Sequence, residues 1–168
     1  DTKLLQLEHA LEISDILVAL AVACRNSEHL ELVAFDELLA LLPEATRNDQ
    51  TPERWRVDIK HRGASHKLHI RPDALVAIRH RELAARGKPA LKFFFIEADR
   101  GTMPIARPWL NQTSIVRKFL AYAETFRAGV HQARFGMDNM RVLFVAKNEA
   151  RVRHMVEAFG EHAAQVAS

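Results

Sequence analysis

LKFFFIEADRGT, residues 91–102, combines a nearly continuous apolar run with an acidic end. An apolar run of this length, bounded by turn residues, is typical of a central strand that is buried on both faces. RPDALVAI, residues 71–78, predicts a second strand that is entered through Pro72 and begins at Asp73. A charged connection, residues 80–90, separates the two strands, so we expect them to pair in antiparallel fashion.

Three acidic residues should gather at one end of this strand pair. If the connection is centred near residue 85, the numbers of paired residues sum to about 170, which places Asp73 opposite Glu97. Glu97 and Asp99 share a face if the strand persists through Asp99. Carboxylates brought together repel one another, so such a cluster usually holds a hard divalent cation. The sequence therefore suggests an Mg²⁺ or Mn²⁺ site, the alternative being that Asp73 simply begins a strand and Asp99 lies in a turn.

The rest of the chain supplies helices and further strands around this pair. Residues 4–25 predict a long helix with two apolar rows, and we expect this helix to be deeply buried. One row contains Leu4, Leu7, Leu11, Val18 and Val22, and the other contains Ile13, Leu17, Leu20 and Cys24. The remaining predicted elements are a strand over 29–35, a helical turn capped by Asp36, a polar loop over 43–52, strands over 55–60 and 67–70, a helix over 113–128, a strand over 141–146 and a helix over 148–166 capped by Asn148.

This order predicts one α/β domain with a mixed central sheet flanked by helices. The chain has 168 residues, of which 48% are apolar and 27% charged, as in an ordinary globular domain. Cys24 is the single cysteine, which excludes an internal disulfide and permits a cytoplasmic location. No apolar run approaches the roughly 20 residues that cross a bilayer, so no membrane association is expected. The net charge is +3, and 17 of the 24 basic residues are arginine, which permits a nucleic-acid partner.

Several of these motifs resemble the replication-relaxation family of bacterial plasmids and mobile elements. The matching positions are Pro72–Asp73, the segment EADRGT at residues 97–102, Lys118 with Tyr122, and His9-Ala10-Leu11, and the resemblance covers about residues 8–146. Members of that family usually carry a winged-helix DNA-binding segment before this domain. The resemblance therefore implies that residues 1–168 are a single nuclease-like domain excised from a longer chain, in agreement with a sequence that begins at Asp1.

The order of elements is also similar to the PD-(D/E)xK restriction-endonuclease-like core, in the sequence α-β-β-β-α-β-α. That resemblance implies that Asp73 is the motif aspartate and Glu97 the first acid of the next strand. The third motif position should be lysine and is Asp99 here, so Lys118 on the following helix is the candidate for the missing ammonium. The implied catalytic set is Asp73, Glu97, Asp99 and Lys118, and the implied metal ligands are Asp73, Glu97, Asp99 and Glu8.

A first-helix acid often joins the metal site in that core, which makes Glu8 or Glu12 a candidate, although both also fit a solvated helix face. Tyr122 could position a phosphate, but we favour a half-buried packing role. For His9 we favour a hydrogen-bonded core histidine over a general base. Trp109, in the loop after the acids, could stack a base, but we favour a role in anchoring that loop. The basic hairpin could bind phosphates, the alternative being an ordinary solvated hairpin, and three arginines bracket the loop after the acids. The six candidate contacts to nucleic acid are Arg62, Lys67 and Arg71 in the hairpin and Arg100, Arg107 and Arg117 around the loop.

Two functions remain open at this point. The first is a DNA-acting, replication- or transfer-related protein of a plasmid or mobile element, with an Mg²⁺- or Mn²⁺-dependent carboxylate site. The second is a catalytically inactive nuclease-like module that binds DNA or assembles with other proteins. DNA is the expected partner in both, with a homo-oligomer or other replication or relaxosome proteins as further possibilities. The clustered acids favour the first function, and Asp99 in place of lysine favours the second.

Overall fold

A mixed four-stranded sheet, in the order β1-β4-β5-β6, forms the centre of the protein. The computed structural model describes residues 2–61 and 63–166. β1, β4 and β5 pair in antiparallel fashion, whereas β6 runs parallel to β5, so the predicted mixed α/β sheet is confirmed. The strands are β1 (Leu30–Leu32), β2 (Trp55–His61), β3 (Ala64–Ile70), β4 (Ala74–His80), β5 (Leu91–Asp99) and β6 (Arg141–Ala146).

The register of β4 and β5 is the one that the sequence predicts. Ala74 pairs with Ile96, and the amide of Asp73 donates to the carbonyl of Ile96 at 2.9 Å. β5 also continues through Asp99, where it pairs with Ala146 of β6. Asp73 therefore lies just before β4, across from Glu97 on the central strand.

The hairpin β2–β3 forms a separate two-stranded sheet that packs against the helix following β5. Its residues alternate between buried and exposed positions, as expected for strands with one face on a core. The sequence indicates both strands but not their separation from the central sheet. The buried positions are Trp55, Val57, Ile59, Leu68 and Ile70, and the exposed positions include Arg56, Asp58, Lys60, Lys67 and His69.

The long helices lie close to their predicted positions, and three short helices were not expected. α3 interrupts the predicted polar loop, α4 follows β4, and α6 follows α5. The prediction that Asp36 caps its helix is wrong, because α2 already begins at Phe35 and no side chain caps it. The helices are α1 (Thr2–Arg25), α2 (Phe35–Leu41), α3 (Glu44–Arg47), α4 (Arg81–Ala85), α5 (Ile115–Arg127), α6 (Val130–Phe135) and α7 (Glu149–Val166).

The expected deep burial of α1 is also wrong. α1 lies against β1 and β5, and a helix placed on a sheet can bury only one side. The row that ends at Cys24 is buried or half-buried. The side chains of the other row, from Leu4 to Val22, are 45–60% exposed. Despite this exposure, none of the helices within residues 2–61 and 63–166 is long and apolar enough to cross a membrane.

An aromatic cluster joins the central sheet to the hairpin and to the helices α5 and α6. Phe95 of β5 contacts the rings of Trp55, Tyr122 and Phe135 at centroid distances of 5.3, 5.8 and 5.2 Å. The indole of Trp55 also donates to the hydroxyl of Thr125 at 2.8 Å, so its polar atom is satisfied inside the core. This cluster fixes the helix α5 relative to β5.

Replacing Phe95 by alanine should lower the free energy of unfolding by about 3–5 kcal/mol, because its buried ring packs against three other aromatic rings. Phe35 is a matched control, since it is mostly exposed at the first position of α2 and its alanine variant should differ by about 0.5 kcal/mol or less. Urea denaturation followed by circular dichroism measures both values. Equal effects of the two substitutions would contradict the assigned core.

Candidate functional site

Glu97 is a buried carboxylate at the acidic end of β5, with only 2% of its surface exposed. Tyr122 donates its hydroxyl to Oε1 at 2.5 Å, and the ammonium of Lys118 contacts Oε2. Lys118 and Tyr122 lie one turn apart on α5, so they reach the strand from the same helix face. Ser114 caps α5 by accepting from the amide of Arg117 at 3.1 Å, which fixes where this helix begins.

Asp73 is held from two directions at the end of the adjacent strand. Its Oδ2 accepts from the amide of Ala98 at 2.8 Å, and its Oδ1 lies 3.1 Å from Nε2 of His9 on α1. The side chain remains partly exposed, unlike that of Glu97. His9 therefore makes the hydrogen bond that was expected of it and orients the aspartate, but its ring is partly exposed and does not lie in the core.

The two carboxylates of Asp73 and Glu97 are close enough to influence each other. Burial raises the pKa of Glu97 most strongly; Lys118 and the hydrogen bond from Tyr122 oppose that rise, and the negative charge of Asp73 adds to it. Burial and the charges of Glu97 and Asp73 also raise the pKa of Tyr122, which keeps its hydroxyl protonated as a donor. The strand end thus combines two acids, one ammonium and one phenol.

Asp99 lies on the same face of β5 as Glu97 but has a cation of its own. Arg151 of α7 donates to it in bidentate fashion, with Nε at 2.6 Å from Oδ2 and Nη2 at 3.1 Å from Oδ1. The same guanidinium contacts the carbonyl of Met103 in the following loop. Asp99 therefore joins α7 and the loop to the sheet.

Glu8 pairs with a residue that was predicted to contact DNA. Nη2 of Arg100 lies 2.6 Å from Oε2 of Glu8, and Nη1 contacts the carbonyl of Leu5. This contact ties α1 to the loop after β5 and places Glu8 outside the contacts that hold Asp73 and Glu97. In the part of the chain that the structure describes, no three histidine, cysteine or acidic side chains are grouped so that they could hold a metal ion.

Two cavities are lined in part by residues of this site. A cleft of about 290 Å³ opens between α1 and α5 and is lined by His9, Glu97, Asp99 and Lys118, among others. A larger cavity of about 830 Å³, with mostly apolar walls, borders Asp73 from the side of α2. His9 lines both cavities, so the His9–Asp73 pair stands between them.

The predicted DNA-contacting residues fall into different settings. Lys67, Arg71 and Arg107 are exposed, although Nε of Arg71 lies 3.7 Å from Glu53. Arg117 donates its Nε to the carbonyl of Leu110 at 2.9 Å and so supports the loop before α5. Arg62 lies outside the described residues.

Sequence reasoning missed three features of the site. Arg151 was not considered, because nothing near residue 151 marks it as the partner of an acid 52 residues earlier. The contact between Tyr122 and Glu97 was also missed, although the spacing of Tyr122 from Lys118 already places both on one helix face. Trp109 does not anchor its loop; the buried Leu110 does so, and Trp109 is exposed.

These features define a class of protein: a mixed α/β domain in which acids at the end of a central strand meet a lysine and a tyrosine from the following helix. The chain belongs to the replication-relaxation family, whose model matches residues 2–139. No significant match to this chain was found among curated proteins or among solved structures.

Replacing Arg151 by methionine should lower the free energy of unfolding by about 3–5 kcal/mol, because Asp99 would remain buried without its cation. Arg153 is the matched control on the same helix, since it is exposed and its Nη1 lies 3.6 Å from Oε2 of Glu149, which is also exposed. Its methionine variant should differ by about 0.5 kcal/mol or less. Similar losses in both variants, measured by chemical denaturation, would contradict the structural role of the Asp99–Arg151 pair.

The raised pKa of Glu97 predicts a pH dependence of stability. Between its ordinary pKa of 4.5 and its higher pKa in the folded protein, the folded state binds more protons at Glu97 than the unfolded state does. This contribution is fully present below the ordinary pKa and is lost as the pH rises through the folded-state pKa. The stability of the wild type should therefore fall relative to Glu97→Gln as the pH rises from about 4 to about 8, as measured by urea denaturation. A constant difference over this range would contradict the prediction.

Proposed function

We propose that this protein acts on DNA during the replication or transfer of a plasmid or other mobile element, and that it hydrolyses a phosphodiester bond at the cleft beside Glu97. Membership in the replication-relaxation family supports a replication-related role. The observation that carries the proposed chemistry is the meeting of Asp73, Glu97 and Lys118 at one end of the central strand pair. The two acids could hold a metal ion, and the ammonium could stabilise the charge that develops on the phosphate.

We further propose that the domain has a PD-(D/E)xK nuclease-like core and works in the cytoplasm as part of a longer chain. The antiparallel pair β4–β5, the helix α5 after it and the parallel strand β6 agree with that arrangement. The departure from the motif is at Asp99, whose pairing with Arg151 leaves the role of the motif lysine to Lys118. Lys118 is partly exposed and lines the cleft, so its ammonium is accessible to a bound phosphate.

The donor set fits a hard divalent cation. Mg²⁺ commonly binds proteins through one or two carboxylates and keeps several of its waters. Asp73 and Glu97 supply two such carboxylates. Burial raises the pKa of Glu97 most strongly and the charge of Asp73 adds to that rise, so a bound cation would stabilise the ionised form of Glu97. Neither Asp99 nor Glu8 is needed for such a site, since each already forms an ion pair with an arginine.

Each residue then has a defined task. Asp73 and Glu97 would hold Mg²⁺ or Mn²⁺, which when bound lowers the pKa of water and polarises the phosphate. Lys118 would stabilise the negative charge that develops on the phosphate oxygens. His9 and Tyr122 orient the two carboxylates through the hydrogen bonds that they make to Asp73 and Glu97.

Exposed cations on the hairpin and in the loop before α5 are candidate contacts for the DNA backbone. Lys67 and Arg71 lie on and just after the hairpin strand β3, and Arg107 lies in the loop before α5. Lysine and arginine side chains bind phosphates in a way that depends on salt and not on base sequence. The exposed face of the hairpin also carries Arg56 and Lys60.

One observation favours a second function, DNA binding without cleavage. Each acid at the strand end already has a protein partner: Asp73 contacts the His9 ring, Glu97 pairs with Lys118 and Asp99 pairs with Arg151. Such internal compensation reduces the need for a metal ion. The two functions differ in whether the domain binds a divalent cation and cuts DNA.

Nicking of supercoiled plasmid DNA in Mg²⁺ or Mn²⁺ tests the proposed chemistry. Asp73→Asn, Glu97→Gln and Lys118→Met should each lower the rate on the order of 100-fold or more, because the two acids would hold the metal ion and the lysine would stabilise the charge on the phosphate. Glu157→Gln is the control for loss of one acidic charge, since Glu157 is exposed on α7. Glu8→Gln should also retain activity, because the carboxylate of Glu8 pairs with Arg100 and does not contact Asp73 or Glu97.

Calorimetric titration with Mn²⁺ gives a readout that does not depend on cleavage. Binding by the wild type that is lost in the Asp73→Asn, Glu97→Gln double variant would support the metal site. DNA binding without metal binding or nicking would rule out the hydrolase and leave the DNA-binding module. Cleavage that persists in the double variant would place the chemistry elsewhere.

A further inference from the structure

The side chain of Trp109 is 66% exposed, although the loop that carries it is firmly held. The next residue, Leu110, is buried, and its carbonyl accepts from Nε of Arg117 at 2.9 Å. The carbonyl of Trp109 accepts from the amide of Gln112 at 3.1 Å. The indole is therefore presented to solvent by an anchored segment and is not exposed through fraying.

The same loop borders a polar groove of about 570 Å³. Its walls include Arg107, Asn111 and Gln112, and among the described residues that line it none carries a carboxylate. Thr102 and Met103 line both this groove and the cleft beside Glu97 and Lys118. A strand that leaves the cleft would therefore enter a groove with one arginine and several neutral hydrogen-bonding groups.

We propose that Trp109 stacks on an unpaired base of single-stranded DNA whose backbone follows this groove. The proposal rests on the proposed function, because it takes the cleft as the place where DNA is bound. An aromatic ring stacks on any base whose face is free, and arginine next to it binds the phosphates. Arg107, two residues before Trp109 and exposed, is placed for that second contact.

The chemistry of the loop favours an unpaired strand over a duplex. In a duplex the faces of the bases are covered by their neighbours, and proteins read base edges from the grooves through hydrogen bonds. An indole ring offers a flat apolar face and a single donor, which suits stacking instead. The groove's one charged wall residue is an arginine, which favours a polyanion over an apolar protein surface.

Tryptophan fluorescence provides a direct test, because the chain has two tryptophans and they differ in exposure. Trp55 is buried and hydrogen-bonded to Thr125, so it should not respond to a ligand at the surface. Titration with a short oligothymidylate in EDTA, which prevents metal-dependent cleavage, should quench the emission of the wild type. The Trp109→Phe variant, in which Trp55 alone emits, should show no quenching.

The affinity for the oligothymidylate should fall about 10- to 100-fold in Trp109→Ala, as expected for the loss of one stacked base, and the affinity for a blunt duplex should not change. Phe126→Ala is the matched control, because it removes another exposed aromatic ring at the far end of α5. Circular dichroism of each variant verifies that it is folded.

Three results would overturn the proposal: equal quenching by duplex DNA, no quenching by the oligothymidylate, or an unchanged affinity in Trp109→Ala. If plasmid nicking through Asp73 and Glu97 persists in any of these cases, the proposed function stands and only the stacking role fails. If the wild type neither binds nor cuts DNA, both proposals fail together.

Discussion

The buried carboxylate of Glu97 is the constraint on which the rest of the structure depends. A charge placed in the core at the end of a central strand is costly unless cations and donors reach it. Lys118 and Tyr122 meet this need from one face of α5, which is possible only if α5 starts at its Ser114 cap and lies against β5. The aromatic contacts of Phe95 hold the helix in that position, so the core and the polar site depend on each other.

The same end of the sheet also joins the other long helices. Asp73 is bound by His9 of α1, and Asp99 by Arg151 of α7, so three acids connect the sheet to three different helices. Each contact links an acid at a strand end to a cation or an imidazole on a helix. A substitution at this end should therefore affect packing as well as the proposed chemistry.

The sequence predicts some parts of this arrangement well for physical reasons. The register of β4 and β5 follows from two apolar strands of similar length around one connection, and the pairing of Ala74 with Ile96 confirms it. The burial of α1 could not be predicted in the same way, because both of its apolar rows have helical spacing and only contact with the sheet decides which one is covered. The pairing of Arg151 with Asp99 depends on how α7 packs, and spacing along the chain carries no information about that contact.

The position of Lys118 bears on how the proposed chemistry and the stability of the domain are related. In a site built on a strand lysine, the ammonium would project from the same strand as the acid. Here Asp99 occupies that strand position and is neutralised by Arg151, while the ammonium comes from α5 and rests on Glu97. Under the proposed function, a cation held by Asp73 and Glu97 would compete with Lys118 for the carboxylate. Lys118 would then be free to contact a phosphate in the cleft that it lines, so one side chain would compensate Glu97 before the metal ion binds and stabilise the substrate's charge afterwards.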